Sequence, residues 1–152
     1  VASVNSLLSR RHLKSRFCTF VYGVLASDGR FTYVNAGHNP PLLVGRDGIR
    51  RLGPTGPVLG VFENARFAEQ TLELRDGETI VLFSDGVTEA RDVTEEEFGE
   101  DRLIDCVHSA ANKPAAAILD AILSSVRDFA VVPADDMTVV VMMYRSAFEE
   151  GS

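Results

Sequence analysis

The sequence predicts an α+β protein in which two antiparallel sheets pack together and helices lie outside them. Three observations carry this expectation. Turn-bounded runs of aromatic and β-branched residues recur from Phe17 to Phe83. Two amphipathic helical stretches follow, over 100–111 and 114–130. Finally, Ile80–Phe83 and Val139–Met143 are continuous apolar runs without alternation, a pattern of strands covered on both faces.

The elements follow in order. Residues 1–14 have helical character, with Val4, Leu7, Leu8 and His12 at mixed three- and four-residue spacing. Phe17–Leu25 and Phe31–Asn35 flank Ser27-Asp28-Gly29-Arg30, and an Asp-Gly pair between such runs signals a hairpin. A second pair follows, Pro41–Gly45 and Ile49–Leu52, around the turn Arg46-Asp47-Gly48. Residues 66–74 alternate as a strand does, and Asp76-Gly77 turns the chain into Thr79–Phe83. Asn112 and Pro114 give the second long helix its start signal. Ile118, Ile122, Val126 and Phe129 form that helix's apolar face, and Met137–Tyr144 closes the chain as a strand.

Composition bounds the function. A chain of 152 residues allows one domain with a sizeable core, and 45% hydrophobic with 24% charged residues is ordinary for a globular protein. No apolar run approaches the ~18–20 residues that span a membrane, and no signal peptide opens the sequence, so a cytoplasmic protein without a membrane partner is expected. The net charge of −7 argues against nucleic acid as a partner. The basic cluster Arg10, Arg11, Lys14 and Arg16 reads as a solvated helix end. Cys18 and Cys106 stand far apart with no paired motif and read as reduced, buried, small apolar residues.

The candidate chemistry lies in carboxylates. Asp85 follows one apolar strand directly, in Phe83-Ser84-Asp85-Gly86, and Asp135 and Asp136 lead into another. If those strands are antiparallel neighbours, the exit of one and the entry of the other share an edge, and the carboxylates converge. Converging carboxylates repel unless a proton or cation lies between them, and all-oxygen ligands select Mg²⁺ or Mn²⁺ over zinc. Metal–oxygen distances near 2.0–2.6 Å then place Asp85 and Asp135 within roughly 4–7 Å of each other. The alternative is a plain turn at Asp85-Gly86 and a plain loop at Asp135-Asp136.

In combination, Tyr33–Leu43, Gly53–Gly60, Val81–Arg91, Glu97–Leu103 and Asp135–Thr138 resemble the bacterial SpoIIE/RsbU-type branch of the PPM metal-dependent protein phosphatases. The resemblance runs from about Asn5 to Tyr144, leaving 145–152 as a tail. It implies an α–β–β–α sandwich whose sheet edge holds two divalent ions, Mn²⁺ or Mg²⁺, activating a water that attacks a phosphoserine or phosphothreonine. Asp85 matches the family's metal-binding Asp-Gly aspartate, Asp135 the first residue of its closing motif, and Asp136 the variable second position of that motif. His38 stands where the wider family often has aspartate. It is a candidate to face the site from behind the ligands, or a structural residue of its loop. No side-chain nucleophile is implied.

The family's N-terminal hairpin brings two further aspartate motifs, and neither occurs in this sequence. The chain is therefore expected to be the C-terminal part of the domain, poorly active alone and prone to form a homodimer through an exposed sheet edge. The resemblance points to a STAS-type anti-sigma-factor antagonist as phosphoprotein substrate and to a sensor domain upstream. Two other classes remain open, a non-catalytic regulatory module with the phosphatase fold and a metal-independent acidic binding domain.

Overall fold

The computed structural model describes residues 1–10, 17–131 and 136–146. Within them the chain forms α1 (Ala2–Arg10), β1 (Phe20–Leu25), β2 (Arg30–Ala36), β3 (Leu42–Gly45), β4 (Gly48–Arg51), β5 (Gln70–Glu73) and β6 (Thr79–Phe83). It continues through α2 (Asp85–Thr88), α3 (Gly99–Ala110), α4 (Ala115–Phe129) and β7 (Val139–Met143). All strand pairs are antiparallel and make two sheets, β1-β2-β5 and β4-β3-β6-β7. Each sheet belongs to its own compact unit.

The first unit holds α1 and the three-stranded sheet. Asp28 closes the β1–β2 hairpin by accepting the Arg30 N–H at 3.0 Å, and Gly29 supplies the left-handed backbone the turn needs at φ 87°. Buried Asn35, 0% exposed, organises the chain beyond β2. Its Oδ1 accepts the His38 N–H at 2.8 Å, while its Nδ2 donates to the carbonyls of His38 and Leu52. Its backbone carbonyl accepts the N–H groups of Thr55 and Gly56, and its own N–H donates to the Thr55 hydroxyl. The motif Asn35-Ala36-Gly37-His38 is thus locked to Thr55-Gly56. Asn5 does the same for α1: its side chain accepts the Gly60 N–H and donates to the Phe62 carbonyl.

The second unit is the larger core. Leu42, Val44, Val81 and Phe83 share one sheet face with Leu103 and Val107 of α3 and Ile118, Ile122 and Val126 of α4. The α4 residues recur at four-residue spacing, so one stripe of the helix is buried. Each such side chain contributes on the order of 1.5–3 kcal/mol by leaving water. Phe129 seals the end of α4, edge-on to Phe98 and beneath the Arg102 guanidinium.

Several expectations are corrected here. β6 is buried along almost its whole length, but β7 is not: Val140 is 44% exposed on the face away from the core that Val139, Val141 and Met143 join, and among the described residues β7 pairs only with β6. The strand expected over 66–74 is regular only over β5, since its ladder with β2 stops at Tyr33–Gln70. Ala68 bonds to Thr55 instead. Pro114 caps α4 from outside, with its carbonyl accepting the Ala117 and Ile118 N–H groups, and Asn112 makes no cap. Cys18 is exposed rather than buried, and Cys106 is half-buried; both are free. The N-terminal helix is regular over Ala2–Arg10, and 11–14 lie outside the described residues.

Asn35→Ala is expected to cost about 2–3 kcal/mol, because buried partners lose their hydrogen bonds with no water to replace them. Urea unfolding measures this, and an unchanged midpoint would show that the Asn35 contacts contribute nothing.

Candidate functional site

The antiparallel ladder of β6 and β7 decides where the sequence-predicted carboxylates fall. Its register runs from Thr79–Met143 to Phe83–Val139, so the exit of β6 and the entry of β7 lie side by side. The pairing continues one step further, with the Ser84 N–H donating to the Thr138 carbonyl at 2.9 Å. The Ser84 hydroxyl then accepts the Thr138 N–H at 2.9 Å and donates to the Asp136 carbonyl at 3.3 Å. Sequence reasoning assigned Ser84 nothing, because its hydroxyl's partners lie more than fifty positions further along the chain. Here its hydroxyl makes no capping bond.

Asp85 opens α2, a single turn. Val87 of that turn is fully buried while Asp85 is exposed, so packing turns the carboxylate outward. Its Oδ1 accepts the Gly86 N–H at 2.9 Å, and its backbone carbonyl accepts Thr88 Oγ1 and the Glu89 N–H. Asp136, also exposed, lies at the same end of the sheet through the Ser84 tether. Asp135 lies outside the described residues. Among the described residues no group of three or more His, Cys, Asp or Glu side chains gathers closely enough to hold a metal ion. The donors here suit Mg²⁺ or Mn²⁺ in kind, being exposed carboxylate oxygens, and fall short in number.

His38 belongs to the other compact unit and is held within it. Its Nδ1 lies 3.0 Å from the Thr19 hydroxyl, and both its backbone groups bond to Asn35. These bonds are those of a loop-forming residue. His108 is exposed on α3, and His12 lies outside the described residues.

The loop after α2 is fixed by its own charges. Arg91 bonds Glu95 and Glu97, and its carbonyl accepts the Val131 N–H at 3.2 Å. Asp92 accepts the Thr94 hydroxyl and the N–H groups of Thr94 and Glu96. The Thr94 hydroxyl is the largest cause holding the Asp92 carboxyl below its ordinary value. A recess of about 470 Å³ opens at the opposite end of the four-stranded sheet, among Arg46, Arg75, Asp76, Glu78 and Arg145. It is remote along β6 from Asp85, and Arg75 and Arg145 pair there with Asp47 and Asp76.

An α+β chain of two antiparallel sheets in this order has the fold of the PP2C-type phosphatase domains. It matches the crystal structure of the RsbU and RsbW domains of Rv1364c from Mycobacterium tuberculosis with a TM-score of 0.75 and 27% identity, over 93% of this chain and 40% of that one. It matches the phosphatase domain of the cell fate determinant SpoIIE from Bacillus subtilis with a TM-score of 0.68 and 19% identity, over 99% of this chain and 66% of that one. The family model for stage II sporulation protein E (SpoIIE) matches residues 1–145, and the chain belongs to that family. Phosphoserine phosphatase RsbU of Bacillus subtilis (strain 168) is 32% identical over 148 residues, 92% of this chain and 43% of RsbU. Protein IcfG of Synechocystis sp. is 41% identical over 91 residues, 59% of this chain and 14% of IcfG. The chain thus spans less than half the length of these two relatives.

Because the native Asp92 value is depressed, its contribution to loop stability is present above the ordinary aspartate range near 3.9 and lost as pH falls through the lower native value. Thr94→Ala is expected to raise the Asp92 titration midpoint toward the ordinary value, read by carboxyl-carbon NMR. An unmoved midpoint would assign the depression elsewhere.

Proposed function

We propose that the chain is the C-terminal part of a metal-dependent protein phosphatase domain that hydrolyses phosphoserine or phosphothreonine. The observation that carries this reading is the β6–β7 register, which brings Asp85 and the Asp136 segment to one end of a sheet. Similarity to a phosphoserine phosphatase over 92% of the chain supports it. Asp85 and Asp135 would hold Mn²⁺ or Mg²⁺, with Asp136 beside them, and further ligands would come from residues outside this chain. Such ions, when bound, supply a hydroxide at neutral pH and charge to receive the phosphoryl oxygens.

The chain's own contribution is placement. The buried Val87 turns Asp85 toward solvent, where a phosphoprotein can approach. The β6–β7 ladder keeps the second carboxylate segment at a fixed distance from it. Hydrolysis in a single step needs no side-chain nucleophile, so Cys18 and Cys106 have no part in it. The substrate proposed is a phosphorylated STAS-type anti-sigma-factor antagonist in the cytoplasm, with a sensor domain upstream setting the activity.

A second reading, a regulatory module without catalysis, draws on the shortage of ligand groups among the described residues. The two readings separate in a longer protein that carries this segment with its upstream residues. There Asp85→Asn and Asp135→Asn are each expected to lower Mn²⁺-dependent turnover of a phosphoserine peptide on the order of 100-fold, with melting temperature preserved. His38→Ala should cost far less. Turnover near the parent level in the Asp85 variant would remove it from the metal site. This 152-residue chain alone should hydrolyse a small phosphoester with excess Mn²⁺ barely above the blank; turnover equal to the longer protein's would overturn the division of ligands.

A further inference from the structure

Ser84 occupies the N-cap position of α2, with extended backbone at φ −83° and ψ 164°. A serine there ordinarily turns its oxygen back onto the N–H two or three residues on. In this chain the Val87 N–H is met by the Ser84 backbone carbonyl instead, at 3.1 Å. The hydroxyl leaves its own helix and crosses to the neighbouring strand, taking the Thr138 N–H and giving its proton to the Asp136 carbonyl. It uses one donor and one acceptor function, both on the short segment that carries a candidate carboxylate.

The position of this bond matters more than its strength. The regular β6–β7 ladder ends at Phe83–Val139, two positions short of Asp85 and three short of Asp136. The backbone bond from the Ser84 N–H to the Thr138 carbonyl extends the pairing one step, and the serine hydroxyl reaches further. With it, Asp136 itself is tied at its carbonyl to the residue that immediately precedes Asp85.

We propose that Ser84 is a positioning residue for the metal site, setting the Asp136 segment against Asp85 through its hydroxyl rather than touching an ion. This rests on the phosphatase reading above. A hydroxyl clamp of this kind organises the carboxylates before the ion arrives, so its loss should weaken ion binding more than folding.

The test uses this chain, isotopically labelled, with Mn²⁺ as the probe. Paramagnetic broadening of backbone amide signals reports the ion, hydrogen exchange reports the Thr138 amide without metal, and thermal melting reports the fold. In the parent chain, Mn²⁺ is expected to broaden the amides around Asp85 and Thr138, and Asp85→Asn should abolish this. Ser84→Ala should require about tenfold more Mn²⁺ for the same broadening and expose the Thr138 amide to faster exchange, with little change in melting temperature. Ser84→Thr, which keeps the hydroxyl, should restore both.

Two results would overturn the proposal, and they differ. If Ser84→Ala binds Mn²⁺ as the parent does while Asp85→Asn does not, the metal reading stands and the positioning role fails. If neither the parent chain nor a longer protein carrying its upstream residues shows broadening near Asp85, the metal reading fails and the role of Ser84 goes with it. A Ser84→Ala chain that loses its fold would be replaced by Ser84→Cys, which keeps a weak donor of similar size and should fall between Ala and Thr.

Discussion

Everything placed near the candidate site depends on the antiparallel pairing of β6 with β7. A one-residue slip would turn Val139, Val141 and Met143 away from α4 and bring Val140 and Met142 onto the core face. The same slip would move Asp136 relative to Asp85. Core packing and site geometry are therefore one constraint, and the apolar stripe of α4 enforces a register that the carboxylates use. β6 lies inside its sheet, flanked by β3 and β7, and the Asp-Gly turn follows it directly. Only β7 reaches its exit, since the ladder with β3 stops at Leu42–Val81.

Much of this could be read in the chain itself. Asp28-Gly29 between aromatic runs gave away the first hairpin, because few residue pairs suit such a turn. The four-residue spacing of Ile118, Ile122 and Val126 likewise marked the face of α4. The expectation that Asp85 meets Asp135 and Asp136 rested on one condition, that their strands be antiparallel neighbours, and the β6–β7 ladder meets that condition.

What escaped the sequence shares a physical cause. The hydroxyl of Ser84, the buried amide of Asn35 and the exposed side of β7 are all decided by partners distant along the chain. Ser84 and Thr138 are 54 positions apart, as are many contacts that local pattern does not encode. An apolar strand at a sheet edge and one at its centre look alike in composition. Cys18 shows the same limit, since its exposure is set by where the chain passes, not by its chemistry.

The segment between α4 and β7 is anchored at both its described ends, by Val131 to the Arg91 carbonyl and by Asp136 and Thr138 to Ser84. Both anchors reach the same stretch, 84–91. Closing such a loop costs only about 0.6 kcal/mol more each time its length doubles. The two anchors, rather than the number of residues between them, thus fix where β7 begins.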